Sequence, residues 1–149
     1  MKLELLDKLD LDKLLEIEQE AFIAPWSKEG FISEIEDNPF SHIIVAKNDD
    51  EIIGYIDYWV TFEVVQLNKI AVRKDVRRQG IAKSLFKAML DSLNKEEVDI
   101  VTLEVRTHNN VAINFYEQVG FEKVLKKPHY YENGDDAWYM IKRLGESYE

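Results

Sequence analysis

The sequence predicts an α/β fold of the mixed kind, one sheet with helices on its faces, organised as a single domain. Three observations carry that expectation. Apolar residues recur at helical spacing near the N-terminus and at later points, and runs rich in β-branched and aromatic residues lie between them. No repeat, low-complexity tract or Pro/Gly/Ser linker interrupts the 149 residues, a length that suits one core.

From Asp10, "DLDKLLEIEQEAF" places Leu11, Leu14, Leu15, Glu18 and Phe22 at helical spacing, most of that stripe apolar. Ser27 suits the cap of a second short helix carrying Phe31, Ile32 and Ile35, which Asn38-Pro39 stops. "HIIVAK" and "IIGYIDYWV" read as strands around the polar turn "NDDE", and "FEVVQLNKIAV" reads as a third. After the charged connection "RKDVRRQ", a helix runs from about Gly80 to Asn94 with Ile81, Leu85, Ala88 and Met89 inward. "VDIVTLEV" is a strand, and "NNVAINFYEQV" is a helix opened by an asparagine cap and closed by Gly120. "FEKVL" and "AWYMIKRL" close the order α-α-β-β-β-α-β-α-β-β. The domain spans 1–149, its core about 3–144, with a short acidic C-terminal tail.

Composition narrows the function. Against 29 Asp and Glu stand 19 Lys and Arg, a net charge of −10, so the surface repels nucleic acid and anionic membranes and attracts a basic peptide or a polyamine. The chain has no cysteine, which excludes disulfides, thiolate metal sites and a thiol nucleophile. His42, His108 and His129 are scattered without zinc-type spacing, so no metal is expected. No stretch is long and apolar enough for a membrane span, and "MKLELLDKLD" carries acids where a signal peptide is apolar; a cytoplasmic protein is the expectation.

"VRRQGIAKSLF" concentrates positive charge and one glycine ahead of an apolar-periodic helix. A helix start offers unpaired N–H groups and the positive end of the macrodipole, and glycine lets an anion approach. The stretch lacks the G-K-[ST] ending of a Walker loop and the three glycines of a dinucleotide fingerprint. Alone, it fits a solvated basic loop as well as a phosphate cradle.

Preceded by the strand "LNKIAV", the loop Arg77, Arg78, Gln79, Gly80, Ile81, Ala82 resembles the acetyl-CoA site of the GNAT acetyltransferases. "PWS" at Pro25 to Ser27, "LEVR" at Leu103 to Arg106, the asparagine-to-glycine helix from Asn109 to Phe121, and "YY…DDAWYM" from Tyr130 to Met140 follow in one order. That combination resembles the ribosomal-protein-alanine N-acetyltransferases (RimI-type) over nearly the whole chain. The resemblance implies a mostly antiparallel mixed sheet with helices on both faces, and acetyl-CoA as co-substrate. It implies that Ile70, Ala71 and Val72 line the acetyl and pantetheine end. Arg77 and the loop from Arg78 to Lys83, by way of Gln79, Gly80, Ile81 and Ala82, would hold the phosphates. Two departures are Thr107-His108, where small residues are more usual, and Ala82 in place of a second glycine.

Alternation in "VTLEVR" puts Val101, Leu103 and Val105 on one face and Thr102, Glu104 and Arg106 on the other. Glu104 there fits a carboxylate paired with a neighbouring base, or a general base facing an acceptor amine. Tyr116 lies on the stripe Ala112, Ile113, Tyr116, Val119 and fits a core tyrosine equally well. The resemblance makes Glu104 the base, Tyr116 the acid that protonates the departing thiolate, and Asn109 a cofactor contact as well as a cap. Trp26, Tyr130 and Tyr131 fall in expected loops, as lids on the core edge or, by the resemblance, as walls of a groove for a peptide N-terminus. Asp135 and Asp136 form a turn or help attract a cationic acceptor.

The acceptor is weighed by its own titration. Neutralising a peptide α-amine at pH 7 costs about 1 kcal/mol, a lysine side chain roughly 4.6 kcal/mol. A lone glutamate suits the first task better. The expected function is therefore N-α-acetyl transfer, by resemblance to the alanine-starting end of a basic small-subunit ribosomal protein. A small amine or polyamine as acceptor, and an idle acetyl-CoA-binding module, are the alternatives.

Overall fold

The computed structural model describes residues 1–94 and 96–145; the acidic tail read from the sequence lies beyond Gly145, outside the described residues. These residues form a mixed α/β fold with a seven-stranded sheet and four α-helices. The strands are β1 (Lys2–Leu5), β2 (Ser41–Asn48), β3 (Glu51–Thr61), β4 (Val64–Val72), β5 (Ile100–Arg106), β6 (Glu122–Lys127) and β7 (Ala137–Arg143). The helices are α1 (Leu11–Ala21), α2 (Lys28–Asp37), α3 (Ile81–Ser92) and α4 (Asn110–Gln118). Hydrogen-bonded order is β1-β2-β3-β4-β5-β7-β6, and β4 pairs parallel to β5. Contacts gather into two compact units: residues 1–60 with 68–93, and 61–67 with the described residues from Asn94 onward. Among the described residues no helix is long and apolar enough to cross a membrane.

In the first unit, α1 buries Leu11, Leu14, Ile17 and Glu18 on one face. Ser27 caps α2 by accepting the Gly30 N–H at 3.0 Å, and the helix ends at Asp37 ahead of Asn38-Pro39. Phe31 of α2 is fully buried, whereas Ile32 is 37% exposed and lies outside the core cluster. Asp49 and Asp50 both take positive φ, the two left-handed residues a tight hairpin between β2 and β3 requires. Gly54 is obligatory: a Cβ there would meet the Ala71 carbonyl at 2.9 Å and the Leu85 and Ile81 side chains just beyond.

β1 was not expected from the sequence. It is four residues long and pairs antiparallel with β2, Lys2 opposite Lys47 through Leu5 opposite Ile44. A segment so short and mostly exposed carries too little alternation to announce itself.

In the second unit, β5 lies between β4 and β7. Its seven residues pair with β7 from Ile100–Arg143 to Arg106–Ala137. Asn109 caps α4 by accepting the Ala112 N–H, and Gly120, at φ +102°, ends it. β6 is a mostly exposed outer strand, with a register irregularity between Lys123 and Leu125.

Candidate active site

The basic loop belongs to the first unit and is held by its own backbone. The Arg73 N–H donates to Ile53 O at 2.7 Å, and the Lys74 N–H donates to Glu20 Oε1 at 2.7 Å. A 3-10 turn at Lys74–Val76 then leads to Arg78 and Gly80, both left-handed at φ +67° and +80°. α3 starts at Ile81, which is buried and anchors the turn, while Ser84 returns N–H and hydroxyl to Gly80 O. Among the described residues, none of the six N–H groups from Arg78 to Lys83 finds an acceptor. Open space surrounds the position a Gly80 Cβ would take.

The arginines differ in use. Arg73 is spent on Asp75 at 2.6 Å and Glu51 at 3.3 Å. Arg77 folds back, its Nε donating to Val72 O at 3.1 Å. Among the described residues Arg78 and Lys83 have no side-chain partner, so they supply the loop's free positive charge. Ile70, Ala71 and Val72 form the end of β4 leading into this turn, with Ala71 buried between its two half-buried neighbours.

Trp26 also lies in the first unit, on the loop between α1 and α2. Its N–H donates to Glu18 Oε2 at 2.8 Å, and its ring stands 5.1 Å from that of Phe31.

The second unit assembles the other candidates. Glu104, its side chain 12% exposed, receives the Tyr130 hydroxyl on Oε1 and the Lys127 ammonium on Oε2, each at 3.3 Å. That ammonium also faces the rings of Tyr139, at 4.7 Å, and Tyr130, at 5.2 Å. The strand register explains the cluster: Glu104 lies opposite Tyr139 across β5 and β7, and β6 brings Lys127 alongside. Tyr130 and Tyr131 meet edge to face at 5.0 Å. Burial raises the Tyr130 hydroxyl above its ordinary range, as does Glu104, and pushes Tyr131 up to about 12.

Tyr116 is buried between Phe115 and Phe121 on α4 and the segment after it, at centroid distances of 5.6 and 5.7 Å. Burial drives its hydroxyl well above the ordinary tyrosine range, so it carries its proton at neutral pH. Among the described residues that hydroxyl has no hydrogen-bond partner. Asn109, besides capping, donates its N–H to Arg106 O.

Asp135 and Asp136 work as ties within this unit. Asp135 accepts from Asn133, Arg106 Nε at 3.0 Å and His108 at 3.2 Å; these partners, Asn133 foremost, hold its carboxyl below the usual range. Asp136 accepts the His129 N–H at 2.9 Å and is lowered chiefly by that bond. Arg106 stacks on Tyr131 at 3.9 Å, so Asp135 indirectly sets that ring.

Sequence reasoning passed over Lys127, whose contact with Glu104 spans 23 positions and leaves no local signal. It also passed over Lys69, although the alternation Leu67, Lys69, Ala71 on a buried face marked it. Glu18 was read as a member of a mostly apolar stripe, and it is fully buried. Among the described residues no group of His, Asp or Glu is arranged to hold a metal ion.

The model of the acetyltransferase (GNAT) family matches residues 11–121. A putative [ribosomal protein bS18]-alanine N-acetyltransferase of Bacillus subtilis (strain 168) is 30% identical over 138 residues, 92% of this chain and 91% of that protein. The [ribosomal protein bS18]-alanine N-acetyltransferase of Escherichia coli (strain K12) is 32% identical over 130 residues, 87% of this chain and 86% of the relative. The crystal structure of the ribosomal-protein-S18-alanine N-acetyltransferase from Escherichia coli superposes with a TM-score of 0.85 at 30% identity, covering 98% of this chain and 97% of that one. A match across most of the length, with the fold in agreement, establishes that this chain belongs to the acetyltransferase (GNAT) family.

Proposed function

We propose that the chain, acting as one catalytic domain in the cytoplasm, transfers acetyl from acetyl-CoA to the α-amine of a protein N-terminus. The acceptor is a basic, alanine-starting chain of the kind for which its relatives are named. The observation that carries the reading is Glu104: a carboxylate only partly screened, with one side-chain donor on each oxygen.

The loop fits an anionic cofactor. Six free N–H groups, the open space over Gly80 and the unpaired Arg78 and Lys83 suit a pyrophosphate, and Ile70 to Val72 would line the acyl end. Acetyl-CoA, when bound, supplies a thioester acyl group and a thiolate leaving group. Glu104 takes the proton that the attacking amine must lose as the C–N bond forms. Tyr116, kept protonated by burial, holds the proton the departing sulfur needs as the C–S bond breaks. Trp26 of the first unit, and Tyr130 and Tyr131 of the second, would each contact the acceptor, and Asn109 would contact the cofactor as well as cap α4.

The charge of −10 favours a basic acceptor of either kind, peptide or polyamine. Competition assays with an alanine-starting basic peptide and spermidine separate the two. Preferential acetylation of the peptide is expected; turnover of spermidine alone overturns the proposal.

A further inference from the structure

Three donors from three parts of the first unit converge on one buried carboxylate. Glu18, fully buried, receives the Tyr55 hydroxyl of β3, the Lys69 ammonium of β4 and the Trp26 N–H of the α1–α2 loop. The same ammonium lies 4.2 Å from the Trp26 ring centroid, 4.6 Å from that of Phe22 and 5.9 Å from that of Phe31. Lys69 thus touches Trp26 twice, through the ring and through Glu18.

Beyond the packing of Trp26 on Phe31, backbone hydrogen bonds fix little of the loop. Among the described residues, Trp26 N–H to Glu18 is the single hydrogen bond from a backbone N–H between Ile23 and Ser27, and Ile23, Ala24 and Pro25 are exposed. A buried ion pair is a poor source of stability, because desolvation offsets most of its attraction, whereas it fixes orientation well. Burial does pull the Lys69 ammonium below its ordinary range, opposed by Glu18. An apolar pair would fill the space without setting the Trp26 amide at a defined height above β4. Lys69 is also the chain neighbour of Ile70, so the network ties the Trp26 wall to the strand end assigned to the acyl group.

We infer that Glu18 and Lys69 are positioning residues that hold Trp26 in its acceptor-binding place, relative to β4, through a hydrogen bond and a cation–π contact. This rests on the proposed role of Trp26, and it is a statement about specificity for the acceptor rather than about chemistry.

The test is Lys69→Met alone and combined with Trp26→Ala, in kinetics with an alanine-starting peptide. Lys69→Met is expected to raise the peptide KM about tenfold with acetyl-CoA affinity unchanged, and to add almost nothing on top of Trp26→Ala. Full additivity, or an unchanged KM in a folded variant, overturns the inference. Acrylamide quenching of Trp26 emission in a Trp59→Phe/Trp138→Phe background gives a readout independent of turnover: quencher access must rise on Lys69→Met, and unchanged quenching also overturns it. If the wild-type protein acetylates no peptide, the proposed function fails while the quenching result still decides the positioning claim. Glu18→Gln, which keeps the side-chain shape, carries the same measurements should Lys69→Met melt below the assay temperature.

Discussion

Glu18 and Glu104 are carboxylates on elements that bury apolar side chains, and the fold treats them in opposite ways. Glu18 sits with no exposed surface and three fixed donors, one of them a backbone N–H. Glu104 keeps 12% of its side chain exposed and holds two side-chain donors at 3.3 Å, from an exposed tyrosine and a lysine on an outer strand. The contrast separates a carboxylate that organises from one that can exchange partners. In the proposed reaction an acceptor amine would replace Lys127 or Tyr130 on Glu104 at modest cost, whereas nothing enters the Glu18 network without dismantling it.

The largest expected effect follows from the exchangeable carboxylate. Glu104→Gln should lower turnover by about 10²- to 10⁴-fold, with melting temperature and acetyl-CoA affinity retained. Rates near wild type would move Glu104 into the same structural class as Glu18. Glu18→Leu should behave in the reverse manner. It strands the Lys69 charge, the Tyr55 hydroxyl and the Trp26 N–H, a loss of about 3–5 kcal/mol and a fall in melting temperature on the order of 10 °C. An unchanged melting temperature would show that the network carries no stability.

A third carboxylate sharpens the comparison through pH. Asp57 is fully buried, Asn68 donates to its Oδ1 at 3.4 Å, and its Oδ2 has no partner among the described residues. Burial and then Glu34 push it up to about 8. The folded state therefore binds a proton that the unfolded state releases near pH 4. The stabilisation is complete below that value and is lost as pH rises towards 8, on the order of 1 kcal/mol per pH unit. Thermal melts between pH 5 and 8 should show this decline and a flatter one for Asp57→Asn; equal slopes would refute it.

Smaller effects are expected at the loop. Gly80→Val forces a β-branched residue to φ +80° at the helix start, and should weaken acetyl-CoA binding about tenfold by calorimetry. Arg78→Ala should cost a few-fold and depend on salt. Arg77→Ala, whose Nε is engaged by Val72 O, should cost least. The reverse ranking would make side-chain charge, rather than backbone, the anchor.

The ease of reading these regions from sequence follows the range of their interactions. Ser27, Asn109 and Gly120 were legible because caps act within a few residues of themselves. The partly exposed place of Glu104 between buried Leu103 and Val105 was legible from strand alternation. Its partners were not, since Lys127 and Tyr130 reach it across 23 and 26 positions, a matter of register that no local pattern contains. Glu18 and Lys69 lay between these cases. A charge at a buried position on each of two elements was visible, but the convergence of both on Trp26 appears only when α1, β4 and the loop are packed together.

The most direct measurement is tandem mass spectrometry of an alanine-starting peptide that also contains internal lysines, after incubation with acetyl-CoA and either wild-type protein or Glu104→Gln. Acetyl on the α-nitrogen with the wild type, and its loss with Glu104→Gln, is the expected result. Acetyl confined to lysine side chains, or equal α-acetylation by both proteins, would contradict it.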